Sequence, residues 1–210
     1  MKKIIFQINV PNYVKNAKKG SYIFNSEMYS ISERNARNYA KKYNYDYYVL
    51  TDANDYFPAA GKHLDYQKLK IFDFIDYERV IYFDSDYIIK DNAPDLSKIC
   101  GNYFHAVNDP GKTVGKLAEN LSMPRERYFN AGFMYLTKDV LDQARNFVNE
   151  YLKNDYEYDG QGLLNKLFFD QDIRFKSLPA SEWNPVDSTF GKYADHYSGK
   201  NKSLWDITRY

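Results

Sequence analysis

The stretch Arg79-Val-Ile-Tyr-Phe-Asp-Ser-Asp-Tyr-Ile-Ile89 carries an apolar, β-branched and aromatic run into two carboxylates one residue apart. A strand sends alternate side chains to the same face, so Asp84 and Asp86 can project together where such a strand ends. Paired carboxylates repel unless they are protonated or bridged. A hard divalent ion, Mn²⁺ or Mg²⁺, relieves the repulsion and often takes its remaining ligands from phosphate oxygens. The pair therefore points to a metal–diphosphate site. Taken alone, an Asp-x-Asp after a strand is more often a polar turn, since Asp and Ser both favour turns, and its surroundings must decide.

Before this stretch, Lys3-Ile-Ile-Phe-Gln-Ile8 reads as a buried first strand and is followed by a polar loop containing Pro11-Asn12-Tyr13. The segment Ser30–Tyr43 offers an N-cap serine, helix formers and a basic last turn. Asp46-Tyr-Tyr-Val-Leu50 is the next strand, and Gln67–Ile75 has apolar residues at helical spacing. After the Asp pair, Asn108-Asp-Pro-Gly-Lys112 is a turn signal opening an excursion with a short helix up to Arg127. Phe129–Leu136 reads as a strand entered through small residues. Asp139–Lys153 is an amphipathic helix with Val140, Leu141, Ala144, Phe147, Val148 and Leu152 on its apolar face, and Gly162–Phe169 is a further short helix. Alternating strands and helices predict an α/β domain with a mostly parallel central sheet flanked by helices, whose ligands sit at the carboxyl ends of strands.

At 210 residues the chain is the size of one α/β domain, expected to span 1–210. Its 29 basic and 28 acidic residues leave a net charge of +1, which gives no electrostatic footprint for nucleic acid or an anionic membrane, so any phosphate binding must be local. The single cysteine, Cys100, cannot form an internal disulfide, and no window reaches the length of a membrane span or a signal peptide. A cytoplasmic protein is the expectation. The 22 tyrosines suit stacking on sugars and bases, but most such rings serve as core or half-buried surface.

Further candidates follow the Asp pair. His196, in Asp195-His-Tyr-Ser-Gly-Lys-Asn-Lys-Ser-Leu-Trp205, can add a nitrogen ligand to a carboxylate-held ion; Gly199 permits close backbone approach and Lys202 supplies a point charge for phosphate. A lone histidine is more often structural, and the neighbouring lysines can equally be solvated. Asn130-Ala-Gly132 joins an amide to residues small enough to bring backbone against a ligand, or is a tight strand entry with nothing bound. Asp159-Gly-Gln-Gly162 places a carboxylate and an amide ahead of a helix, where exposed N–H groups favour polar ligands; by itself such a tetrapeptide is more often a helix cap.

In this order the pieces resemble the GT-A nucleotide-sugar glycosyltransferases, especially family eight, the glycogenin and bacterial galactosyltransferase group. The resemblance rests on Lys68-Leu69 before the strand, Asp84-Ser85-Asp86, Phe129-Asn-Ala-Gly132, Gly160-Gln-Gly-Leu-Leu-Asn165, and His196-Tyr-Ser-Gly-Lys-Asn-Lys202 with Trp205, and covers roughly Gln67 to Trp205. The segment Arg34–Asp46 is closer to the Tyr-Ala-x-x-x-Gly-Tyr-Asp pattern of family thirty-four. Two departures stand out. Gly160 occupies the position of an aspartate in the family pattern, leaving that role vacant or shifted to Asp159, and Lys202-Ser-Leu-Trp205 is one residue longer than Lys-Pro-Trp.

The resemblance implies a single GT-A (Rossmann-like) catalytic domain, also consistent with excision from a longer protein. It implies metal-dependent transfer of a sugar from a nucleotide diphosphate donor, expected to be a UDP-sugar, to a hydroxyl of a glycan or glycoprotein acceptor, with retention of configuration. Asp86 would bind Mn²⁺ most directly, Asp84 would contact the ion and the ribose, and His196 would complete the protein ligands. Lys68, Gly199 and Lys202 would hold the diphosphate, Tyr13 would stack on the base, Asn130, Ala131 and Gly132 would line the donor sugar, and Gln161 would lie near the anomeric carbon. Competing readings are a haloacid-dehalogenase-type phosphatase, whose Asp-x-Asp normally follows the first strand, and a sugar- or metal-binding module without turnover.

Overall fold

The computed structural model describes residues 2–10, 26–52, 64–109, 111, 114–153, 159–184 and 190–197. The opening strand β1, Lys3–Ile8, is almost entirely buried because it lies inside a six-stranded sheet with neighbours on both edges. Helix α1, Ser26–Tyr43, starts four residues earlier than its sequence suggests. Ser30 is not its cap; the Ser30 hydroxyl donates to the Ser26 carbonyl at 2.8 Å, the back-bond of a serine already inside a helix. Strand β2, Asp46–Leu50, follows and pairs parallel to β1.

The segment predicted to be helical before the Asp pair is a 3₁₀ helix, Leu64–Asp73. Leu69 and Phe72, both buried, are three residues apart, the spacing that eclipses side chains on a helix of three residues per turn. Strand β3, Arg79–Phe83, then runs parallel to β1, with Phe6 opposite Tyr82 and Gln7 opposite Phe83. After a turn come β4, Tyr87–Ile89, the short helix α2, Leu96–Cys100, and β5, His105–Asn108. The excursion contains α3, Val114–Asn120, and a 3₁₀ turn, Arg125–Arg127.

Strand β6, Phe129–Thr137, is the longest among the described residues and is buried at all nine positions. It inserts antiparallel between β3 and β5, so three of the sheet's five pairings are parallel and two are not. The order is β2-β1-β3-β6-β5-β7, where β7 is Lys176–Ser177. Helices α4, Lys138–Lys153, and α5, Gly160–Asp170, pack with the 3₁₀ helix on one face, against Phe6, Val80, Tyr82, Met134 and Leu136. On the other face α1, α2 and α6, Ala180–Trp183, cover Ile5, Ile81, Phe83, Phe133 and Tyr135. The alternation of Ile4/Phe6 and Ile5 between the two cores is the period-two pattern of a doubly covered strand.

A separate two-stranded ribbon joins β4 to β8, Ala194–His196, antiparallel, with Tyr87 opposite His196. The carboxyl ends of β1 and β3 and the amino end of β6 meet at one edge of the main sheet, and the ribbon lies beside them. Among the described residues, no helix is long and apolar enough to cross a membrane.

Candidate metal and donor site

Strand β3 stops at Phe83, and Asp84, Ser85 and Asp86 form a tight turn in which the Tyr87 N–H donates to the Asp84 carbonyl at 3.0 Å. The carboxylates are therefore brought together by a turn rather than by strand alternation. The turn is seated on β6, because the Asp84 N–H donates to the Gly132 carbonyl at 2.9 Å, and on the residue that follows the late strand Ala194–His196, because the Tyr197 N–H donates to the Asp86 carbonyl at 2.9 Å.

Asp84, Asp86 and His196 each offer a ligand atom, and these atoms all lie within 4.8 Å of one another. His196 is only 2 % exposed, and among the described residues neither of its ring nitrogens has a hydrogen-bond partner. Its Nε2 faces Asp86 Oδ1 at 3.4 Å. Burying an imidazole with both nitrogens unsatisfied is costly, and two carboxylates beside it form a donor set of oxygens and nitrogen suited to a divalent ion. Gly132 leaves the room this requires. A Cβ there would lie 2.9 Å from Asn130 Oδ1 and 3.0 Å from both Asp84 Oδ2 and His196 Cε1. The residues present thus fit a bound metal.

Lys68, delivered by the 3₁₀ helix and 5 % exposed, sets its Nζ 3.0 Å from Asp84 Oδ1 and 3.3 Å from Oδ2. The Tyr82 hydroxyl donates to Asp84 Oδ1 at 2.6 Å. Behind the turn, the buried Gln7 amide donates to Ser32 Oγ at 3.1 Å and to the Asp84 carbonyl at 3.4 Å, tying β1 and α1 to the motif.

On the other side of Gly132 lies a polar cluster whose amides have fixed polarity. The Ala131 N–H donates to Gln161 Oε1 at 2.9 Å, and Gln161 Nε2 donates to Asp109 Oδ2 and to the Tyr128 hydroxyl, both at 3.3 Å. Asn130 Nδ2 also donates to Asp109 Oδ2, at 3.3 Å, while Asn130 Oδ1 accepts from the Gly132 N–H and from fully buried Asn184 Nδ2, both at 2.9 Å. Burial pushes the Tyr128 phenol up to about 12, so it stays neutral at physiological pH; the bond from Gln161 acts in the opposite sense.

Asp159 is used differently. It is exposed, and its Oδ1 accepts the Gly162 N–H at 2.7 Å as the N-cap of α5. The half-buried carboxylate that meets Gln161 is Asp109, at the end of β5. In sequence it sits inside Asn108-Asp-Pro-Gly, a turn signal, and only its place at the carboxyl end of a strand could have singled it out. Asn184 carries no local motif signal either, whereas Asn165 closes the Gly160-Gln-Gly-Leu-Leu-Asn165 motif without any role having been read for it. Tyr13, Gly199 and Lys202 lie outside the described residues.

Residues 6–208 match the family model described as Glycosyl transferase family 8. Galactinol synthase 6 of Arabidopsis thaliana is 26 % identical over 153 residues, covering 63 % of this chain and 44 % of the plant protein. The chain spans less than half the length of the curated relatives it matches. Among solved structures, a glycosyltransferase involved in glycosylation of the major capsid of PBCV-1 superposes with a TM-score of 0.59 at 15 % identity, covering 98 % of this chain and 100 % of that one. WbbM, a bifunctional glycosyltransferase, gives 0.57 at 19 % identity, covering 86 % and 39 %. At these identities the structural likeness speaks for the fold, an α/β architecture shared with glycosyltransferases.

Proposed function

The chain belongs to glycosyl transferase family 8, and from that premise we propose that it moves a sugar from a nucleotide diphosphate donor, a UDP-sugar, to a hydroxyl of a glycan or glycoprotein acceptor, with retention. The observation that carries this reading is the convergence of Asp84, Asp86 and buried His196, whose ring nitrogens make no hydrogen bond among the described residues, beside the ammonium of Lys68.

Asp86, Asp84 and His196 would hold Mn²⁺, or Mg²⁺. When bound, the ion supplies positive charge to the diphosphate that departs as the anomeric bond breaks. Lys68 keeps Asp84 oriented and adds its own charge to the same end of the site. The family resemblance assigns Lys202 and Gly199 to the diphosphate and Tyr13 to the base. Asn130, Ala131 and Gly132 line the donor sugar, with Gly132 keeping the wall thin where metal ligands and sugar meet.

Positive charge develops on the sugar ring as its bond to the leaving group lengthens, by analogy with glycoside hydrolysis. Gln161 lies near that carbon. Asp109, joined to the amides of Gln161 and Asn130, supplies a carboxylate beside Gln161, where Gly160 itself carries none. Asp159 contributes by capping the helix that presents Gln161. Residues 1–210 act as one catalytic domain.

The test is a screen of nucleotide sugars for Mn²⁺-dependent hydrolysis or transfer by the purified chain and by Asp86→Ala. Turnover of one donor that requires the metal and disappears in the variant supports the reading; unchanged turnover in Asp86→Ala removes it. Calorimetric binding of the donor without product would instead identify a binding module.

A further inference from the structure

The two metal-ligand residues Asp86 and His196 stand at one end of the β4–β8 ribbon, and a different pair closes its other end. Asp86 immediately precedes β4 and His196 ends β8, so the pairing register of this ribbon sets how far apart the two ligands lie. The ribbon contains three residue pairs, Tyr87–His196, Ile88–Asp195 and Ile89–Ala194. A ladder so short is marginal without additional anchoring, and a slip of one residue would turn His196 to the opposite face.

The anchoring is built from Lys90, Asp195 and Gly191. Lys90 Nζ lies 2.8 Å from Asp195 Oδ1 and donates to the Gly191 carbonyl at 2.7 Å. The Gly191 N–H donates to the same Asp195 Oδ1 at 3.1 Å. The Lys90 N–H extends the ladder by one bond, to the Tyr193 carbonyl at 2.9 Å. A Cβ at position 191 would stand 2.5 Å from the Ala194 carbonyl, so only glycine closes the loop that feeds β8. Asp195 is 3 % exposed. A carboxylate that deep is tolerated where a cation and an N–H meet it, and here both come from the residues that close the ribbon.

We infer that Lys90 and Asp195 are positioning residues for the metal site: their ion pair locks the β4–β8 register and thereby holds the His196 imidazole against Asp86. In this role the two side chains act through the backbone of the ribbon, to which their ion pair is tied at Gly191. The inference rests on the metal reading of Asp84, Asp86 and His196 given above. A partner that orients a metal ligand is worth about ten- to a hundredfold in metal affinity.

The experiment measures Mn²⁺ affinity of the full chain by calorimetry and by electron paramagnetic resonance of the bound ion, for the wild type and for K90M, K90R and D195N. Far-UV circular dichroism of the metal-free proteins is recorded alongside. K90M is expected to weaken Mn²⁺ binding about tenfold or more while the spectrum stays that of the wild type. K90R, which keeps the cation, is expected to restore the affinity. D195N keeps an acceptor for the Gly191 N–H and removes the charge; it provides the reading should K90M fail to fold, and is expected to weaken binding as well. Wild-type affinity in both K90M and D195N, or in D195N where K90M does not fold, overturns the inference and leaves the metal site intact. A wild-type protein without Mn²⁺ affinity overturns both.

Discussion

Lys68 Nζ and Asp84 form a two-oxygen ion pair, at 3.0 and 3.3 Å, in which the lysine is nearly buried and the carboxylate is partly open. The pair orients one of the two motif carboxylates without closing it off from solvent. Lys68→Met should lower kcat/KM for the donor by roughly tenfold or more, the value of a charge-assisted hydrogen bond. Steady-state kinetics over a range of donor concentrations measures it, and an unchanged kcat/KM would remove Lys68 from the site.

Gly132→Ala should damage the site at its centre. The added methyl meets Asn130 Oδ1, Asp84 Oδ2 and His196 Cε1 at 2.9–3.0 Å, and overpacking of this kind costs about 1–3 kcal/mol. Reduced thermal stability together with weakened Mn²⁺ binding is expected; calorimetry on the purified variant showing wild-type values for both would contradict the cradle.

The roles of Asp109 and Asp159 can be separated by substitution. Asp109→Ala removes the acceptor shared by Asn130 and Gln161 and should sharply reduce turnover. Asp159→Ala removes an N-cap and should cost about 1 kcal/mol of stability with a smaller loss of turnover. Paired denaturation and rate measurements decide, and the reverse pattern would return the catalytic role to Asp159.

Asn165 is 1 % exposed and stitches β6 to α5: its Oδ1 accepts the Phe129 N–H at 2.8 Å, and its Nδ2 donates to the Phe129 and Gln161 carbonyls, both at 2.9 Å. Asn165→Ala orphans buried backbone groups and should destabilise the fold by about 2–4 kcal/mol. Urea unfolding with an unaltered midpoint would show that the stitch is dispensable.

Far from the site, Asp95 connects α2 to the sheet. Burial alone would raise its pKa, but hydrogen bonds from Tyr45 and Ser97 and the charge of Lys3 together hold it below the ordinary 3.8. Its folded value is depressed, so its stabilising contribution is present above pH 3.8 and is lost as pH falls through the folded value. Asp95→Asn should flatten the acid limb of stability, seen in urea midpoints taken from neutral pH down past 3.8; an acid limb as steep as that of the wild type would count against it.

Much of the fold was legible because it is encoded locally. The ends of β1 and β2 follow from apolar runs bounded by polar residues, and α4 from a 3.6-residue stripe. The start of α1 was misplaced because a serine that caps helices also sits comfortably one turn inside them. The 3₁₀ helix was hidden because apolar residues three apart fit either helix, and packing against the sheet selects the tighter one.

Within the candidate site, the sequence by itself determined the chemistry on offer: an Asp pair at the end of a strand, a basic helix before it, an Asn-Ala-Gly strand, a glutamine at a helix start and a late histidine, in an order resembling family eight. Only the tertiary structure decided which of these meet. Asp86 and His196 approach through the register of the β4–β8 ribbon, and Gly132 matters because β6 inserts beside β3. Gln161 faces Asp109 while Asp159 caps a helix. The reason is physical. Side-chain periodicity is a property of neighbouring residues and can be read along the chain, whereas the distance between remote ligands is set by strand order and register, which depend on the packing of the whole sheet.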